Sequence, residues 1–228
     1  DPVVKPELQK YDVSAHVCPF AENSETGMSA YVADGQVTLP APLDFTMPQD
    51  RLSLPGKHNL YNSLAAALAA RAAGIPQSVV EQGLSDFPGV EHRMERVATM
   101  HGVNYINDSK ATNVDACRYA LEAMNTPTIL IIGGKDKGND YEPIKELVKE
   151  KCAGLVYLGA DNTKLHQNFD QLGLPVADTH SMKDCVTVCA NMAKAGYTVL
   201  LSPCCASFDL FKNMEDRGEQ FKTLVRNL

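Results

Sequence analysis

Apolar and polar positions alternate along "SAYVADGQVTLP", residues 29–40, on either side of Asp34-Gly35, a dipeptide suited to a tight turn. That pattern predicts a β-hairpin. The period then changes. An Ala- and Leu-rich run from about Asn59 to Ala73 predicts a helix, with Gly74 placed as its C′ stop. "IPQSVVEQGLSDF", 75–87, predicts a second helix entered near Pro76, whose missing N–H is no loss in a first turn. "FPGVEHRMER" breaks both periods and reads as a linker, dividing the chain into domains 1–88 and 89–228. The opening residues, "DPVVKPELQKYDVSAHVCPFAEN", read as an entry in mid-domain.

After the linker the rhythm is regular. "MERVATMHGVNYIND" predicts a hairpin around His101-Gly102, and "NVDACRYALEAMN" a helix with Asn113 as its N-cap. "TPTILIIGG", "GLVYLGA" and "YTVLLSP" predict buried strands. "EPIKELVKEK", "TKLHQNFDQLG" and "SMKDCVTVCANMAKAG" predict helices, and a last helix is expected over 206–228. Strands alternating with helices indicate an α/β domain with a mostly parallel sheet. Such sheets bind ligands beyond the carboxyl ends of their strands.

Composition narrows the classes. At 228 residues, 44% hydrophobic and 21% charged, the chain has the make-up of a globular protein of one or two domains. A net charge of −7 and no Lys/Arg-rich run argue against a nucleic-acid partner. An anionic ligand must therefore be held by a few placed groups. No apolar run approaches the ~18–20 residues of a membrane span, and no signal peptide is evident. The seven cysteines are irregularly spaced and read as reduced thiols of a cytoplasmic protein. Cys185 with Cys189, and Cys204 with Cys205, lack the CxxC or His pairs of a metal site and read as small buried side chains.

The candidate chemistry sits at strand ends. "YIN" runs into Asp108, Ser109, Lys110, Thr112 and Asn113. "ILIIGG" runs into Lys135, Asp136, Lys137, Gly138 and Asn139. "VLLSP" runs into Cys204, Cys205, Ser207, Phe208 and Asp209. Turn and cap duties account for many of these side chains. They do not account for lysines at strand ends, so Lys110 and Lys137 are assigned to ligand contact. Ser207 and Phe208 are expected at a helix N-terminus, where free N–H groups favour a carboxylate or phosphate. Asn59 and Asn62, three apart at a helix start, present both amides on one side. Those two are either an N-cap with a surface Asn or an amide pair reading a base or ribose. Arg93 in the linker is either solvated or a phosphate ligand.

Five segments in order, "GKHNLYNSLAA", "FPGVEHRMERV", "INDSKATN", "GGKDKGNDY" and "LLSPCCASFDLFKNMEDRGEQF", closely resemble the Mur ligases of peptidoglycan synthesis, from about Leu54 to the C-terminus. The third and fifth resemble the D-glutamate-adding branch. This resemblance implies a Rossmann-like, amino-acid-binding C-terminal domain preceded by the tail of an α/β ATP-binding domain. It implies an ATP-dependent, amide-forming ligase using Mg²⁺. ATP phosphorylates the carboxylate of UDP-N-acetylmuramoyl-L-alanine, and the amine of D-glutamate displaces the phosphate. Carried over residue by residue, Asn59 and Asn62 contact adenine. Arg93 and Asp108 hold phosphate and ribose, with His92 beside them. Lys110, Thr112, Lys137, Ser207 and Phe208 form the D-glutamate pocket. Met214 stands where the family often has a second aromatic.

No phosphate loop of the form GxxGK[ST] occurs, nor a counterpart of the acidic magnesium ligand, the histidine and the modified lysine of the family's central domain. The chain is therefore expected to be the C-terminal part of a monomeric ligase, with no complete catalytic set, no metal site of its own and no ligation activity in isolation. The alternatives are a ligase adding another amino acid and a non-enzymatic α/β binding module.

Overall fold

The computed structural model describes residue 10, residues 15–54 and residues 56–228. The mid-domain entry read from the first residues concerns mainly 1–14, which apart from Lys10 lie outside the described residues. The chain divides into two compact units between Pro88 and Gly89.

In the first unit, strands β1 (Phe20–Asn23), β2 (Ala30–Ala33), β3 (Gln36–Leu39) and β4 (Phe45–Pro48) lie in chain order. β1 and β2 are parallel and the remaining pairs antiparallel. Asp34 and Gly35 turn the expected hairpin with φ of 50° and 71°, the left-handed geometry that matches strand twist. Helix α1 (Lys57–Ala72) and helix α2 (Gln77–Asp86) follow. Leu60, Leu64 and Leu68 of α1 and Val80 of α2 pack with Val37, Leu39, Phe45 and Met47 of the sheet. Gly74, at φ 80°, ends α1 with bonds from Gly74 N to Arg71 O and Ile75 N to Ala70 O, both 3.0 Å. This is the double closure a C′ glycine permits.

The second unit contains β5 (Glu95–Met100), β6 (Val103–Asn107), helix α3 (Val114–Glu122), β7 (Thr128–Gly133), helix α4 (Lys145–Lys151) and β8 (Cys152–Leu158). It continues with helix α5 (Thr163–Phe169), β9 (Val176–Thr179), helix α6 (Met182–Met192), β10 (Thr198–Cys204) and helix α7 (Met214–Arg226). The sheet order is β5-β6-β10-β7-β8-β9, parallel throughout except for the antiparallel edge strand β5. The central strands are apolar on both faces because both are covered. Leu130, Ile132 and Leu200 face Cys117, Leu121, Val148 and Phe169 on one side. Ile129, Ile131 and Val199 face Val186, Cys189, Phe221 and Val225 on the other. The fold is thus the expected α/β class with a mostly parallel sheet.

Strands β1 and β4 lie outside the hairpin read from the sequence and were not expected, and four further details differ. β9 was not expected, because "VADT" has little strand character, and as an edge strand it pairs with β8 alone. The helix expected from Glu142 begins as a 3₁₀ turn, Glu142–Ile144, before α4. Gly56, not Asn59, is the N-cap of α1. The last helix starts at Met214, capped by Asn213, rather than near residue 206. Cys204 takes φ 61° and Lys135 pairs with Ala206 across an isolated bridge, so backbone pairing claims residues that a helix would otherwise use.

Candidate functional site

Strands β6, β10 and β7 are neighbours, so the loops leaving their carboxyl ends form one surface. Hydrogen bonds tie those loops together. The Arg217 guanidinium, 1% exposed, donates from Nε to Ser109 Oγ (2.9 Å), from Nη2 to Ser109 O (2.9 Å) and from Nη1 to Cys205 O (3.1 Å). Burial lowers its pKa to about 10, which leaves it protonated near neutrality. Asn139 Nδ2 donates to Cys204 O at 3.1 Å, and Lys135 N to Ala206 O at 2.8 Å. Gly134, at φ 125°, allows that approach, since a Cβ there would collide with Ala206 O.

Asp136 shapes the loop that carries Lys137. Its carboxylate accepts from Gly138 N (2.6 Å), Asn139 N (3.1 Å), Tyr141 Oη (2.8 Å) and Lys164 Nζ (3.0 Å). Burial alone would raise its pKa, but these donors, Lys164 foremost, bring it below the ordinary carboxylate value. Lys137 is left exposed at the tip, as is Lys110. Among the described residues no carboxylate pairs with either ammonium group.

The Asp108 loop is built differently. Asp108 is buried and accepts from Ser202 Oγ (3.0 Å) and Met94 N (3.2 Å). Burial outweighs these bonds and the nearby Arg93 charge, and pushes its pKa up to about 6. Ala111 N donates to Asp108 O and Lys110 N to His92 O, so the turn bearing Lys110 is fastened to segment 91–95. Thr112 is half-buried beside it, and Asn113 caps α3 through Ala116 N at 2.8 Å.

Ser207 and Phe208 do not lie at a helix N-terminus. They occupy an isolated turn ahead of α7, which starts only at Met214, and the turn is closed by Phe211 N donating to Ser207 O at 2.9 Å. Ser207 is 1% exposed and Phe208 64% exposed, so the hydroxyl is enclosed and the ring lies open beside it. Met214 is half-buried, and its carbonyl accepts from Ser109 Oγ at 2.7 Å.

Within segment 91–95, His92 is buried and Arg93 exposed. His92 and Met94 take φ of 63° and 48°. Glu91, His92 and Glu219 bring potential metal-ligating atoms within 4.8 Å of one another. The buried Lys222 ammonium already pairs with Glu91 and, at 2.6 Å, with Glu219, supplying the positive charge a metal would bring. In the first unit, Asn62 Nδ2 donates to Asn59 Oδ1 at 3.4 Å, with Asn59 buried and Asn62 exposed. Asn62 stands on the wall of an apolar groove of about 400 Å³ lined by Ala66, Ile75, Val80 and Phe87 among others.

Sequence reasoning missed the residues that hold the loops: Arg217, Asn107, Glu95, Lys164 and Lys222. Of these, Glu95, Asn107 and Arg217 lay inside the segments "FPGVEHRMERV", "INDSKATN" and "LLSPCCASFDLFKNMEDRGEQF" without being given a role. Each has at least one partner more than ten residues away, and no local period marks them.

A sheet with this order, and with lysines, an enclosed serine and a buried aspartate on one edge, defines a Rossmann-like α/β domain. The family model described as Mur ligase, glutamate ligase domain, matches residues 92–205, and the chain belongs to that family. It is 58% identical over its full length to a UDP-N-acetylmuramoylalanine--D-glutamate ligase of Bacteroides fragilis, covering 52% of that relative. It is 46% identical to the protein of the same name from Porphyromonas gingivalis, again over its full length and 51% of the relative. The chain thus spans about half the length of these curated relatives. Among solved structures, the MurF ligase of Thermotoga maritima in complex with ADP shares the fold, with a TM-score of 0.68 at 15% identity, covering all of this chain and 52% of that one. No helix among the described residues is long and apolar enough to cross a membrane.

Proposed function

We propose that this chain is the amino-acid-receiving part of an ATP-dependent ligase that adds D-glutamate to UDP-N-acetylmuramoyl-L-alanine in peptidoglycan synthesis. The observation that carries this reading is the hydrogen-bonded set of three loops presenting Lys110 and Lys137, without carboxylate partners, around the enclosed Ser207. Two ammonium groups and a hydroxyl match a dicarboxylic amino acid. The names of the relatives agree.

On this reading Lys110, Thr112, Lys137 and Ser207 hold the two carboxylates of D-glutamate, and Phe208 and Met214 cover its methylenes. The amine is left free to attack the acyl phosphate, forming the C–N bond as phosphate departs. Arg93 and Asp108 face phosphate and ribose, with His92 supporting them, and Asn59 and Asn62 meet adenine beside an apolar groove suited to a flat base. Preorganised cations in place before the charge develops are the chain's main contribution to the chemistry. The Glu91, His92 and Glu219 cluster does not fit Mg²⁺, because Lys222 occupies it, so no residue of this chain is assigned to that ion. Seven free thiols suit a cytoplasmic setting.

The test is a chimaera in which these residues replace the matching half of the Bacteroides fragilis relative. Phosphate release should depend on D-glutamate and fall at least tenfold in Lys137→Ala, while the 228-residue chain alone releases none. Preference for another amino acid, or a folded chimaera with no amino-acid-dependent release, would overturn the reading.

A further inference from the structure

Lys222 lies on α7, is 3% exposed, and is surrounded by carboxylates from three parts of the second unit. Its ammonium bonds Glu91, reaches Glu219 Oε1 at 2.6 Å and Glu95 Oε1 at 3.3 Å. Burial opposes its charge, yet the bonds to Glu219, Glu91 and Glu95 hold its pKa above the ordinary lysine value. The Glu91 carboxyl is correspondingly lowered, first by its hydrogen bond from Lys222. A buried lysine gathered to three carboxylates is a costly arrangement unless it fixes something.

What it fixes can be followed bond by bond. Glu95 Oε2 accepts from His92 N at 2.9 Å and from Asn107 Nδ2 at 3.0 Å. The same Asn107 amide donates to His92 Nδ1 at 2.9 Å. One turn earlier on α7, Gly218 leaves room for the imidazole, since a Cβ there would collide with His92 Nδ1. His92 O then accepts from Lys110 N at 3.0 Å, and Met94 N donates to Asp108 Oδ1 at 3.2 Å. Arg93 sits between two residues that are both held in the left-handed region, a conformation that persists only when its surroundings enforce it.

We infer that Lys222 is a positioning residue: by gathering Glu91, Glu95 and Glu219 it sets the backbone of segment 91–94, and through it both Arg93 and the turn carrying Lys110. This rests on the proposed ligase reading for what Arg93 and Lys110 do, but the structural coupling can be tested without any ligand. Lys222 itself touches no substrate.

The experiment has two arms. In the first, amide hydrogen exchange is measured on the 228-residue chain for the parent, Lys222→Met and Glu91→Gln. Glu91 is exposed, so its variant tests the same coupling without emptying a buried site. The amides of His92, Met94 and Lys110 should exchange at least tenfold faster in Lys222→Met, and several-fold faster in Glu91→Gln. The amides of Ile131 and Leu200 in the sheet should not change. In the second arm, the same substitutions are placed in the chimaera. The KM values for ATP and D-glutamate should both rise about tenfold, with kcat changed less. Unaltered exchange at His92 and Lys110 in both variants would overturn the coupling. If Lys222→Met exchanges faster everywhere, Glu91→Gln decides between local and global loosening. Faster local exchange with unchanged KM values, in a chimaera whose parent turns over, would overturn the positioning role. A parent chimaera without D-glutamate-dependent turnover would instead sink the functional reading and leave the exchange result standing.

Discussion

Arg217 holds Ser109 at two points, donating from Nε to its hydroxyl and from Nη2 to its carbonyl, each at 2.9 Å. The two residues are 108 positions apart, and this contact joins the last helix to the loop after β6. Arg217→Met would leave Ser109 O and Cys205 O buried without these donors, at about 1–3 kcal/mol each. The expected loss is roughly 3 kcal/mol in urea unfolding. Arg217→Lys, with one compact ammonium for three acceptors, should recover less than half of it.

Asp108 makes stability depend on pH in a defined direction. Its folded pKa of about 6 lies above its ordinary value of 3.8. The folded state therefore holds the proton more tightly, and the resulting stabilisation is present below pH 4 and lost as pH rises through 6. Two units correspond to roughly 3 kcal/mol. Asp108→Asn removes this effect, so its stability relative to the parent should rise by roughly 1 kcal/mol between pH 5 and pH 7.5. Denaturant unfolding at the two pH values measures it, and parallel curves would refute the burial argument. The same variant should weaken nucleotide use in the chimaera.

Two glycines of one loop separate backbone strain from collision. Gly134→Ala places a methyl against Ala206 O at a left-handed φ of 125°. It should cost at least about 3 kcal/mol and part the loops after β7 and β10. Gly138→Ala, at φ 89° with nothing within 4 Å, meets only the backbone term, about 1–2 kcal/mol. Thermal unfolding of the pair should show the gap.

Asn213 Oδ1 accepts from Asp216 N at 2.7 Å and starts α7. Asn213→Ala should cost about 1 kcal/mol and speed amide exchange in the first turn of that helix. Restoration of most of the loss by Asn213→Ser would identify the cap as the cause.

The sequence by itself determined what local physics can encode. Period-two runs placed both hairpins, Asp34-Gly35 and His101-Gly102 turned them, and Gly74 and Asn113 closed and capped their helices as read. Uninterrupted apolar runs marked β7, β8 and β10 as strands covered on both faces, and hence the α/β class. The excess of polar groups after each of three strands marked three loops that the sheet order brings onto one edge, where the ligand is proposed to sit.

Tertiary structure decided the rest. Nothing local says that β10, the last strand of the chain, inserts between β6 and β7, yet that order makes three separate loops one surface. Pairing between Lys135 and Ala206 overrode helix propensity and left Ser207 in a turn ahead of α7. Edge strand β9 exists because β8 offered it unpaired backbone groups. Arg217 and Lys222 acquire their roles from partners more than 100 positions away. The physical reason is the same in each case. Helix and turn preferences are settled by neighbours within a few residues, whereas strand order and buried ionic contacts depend on groups that meet only after the chain has folded.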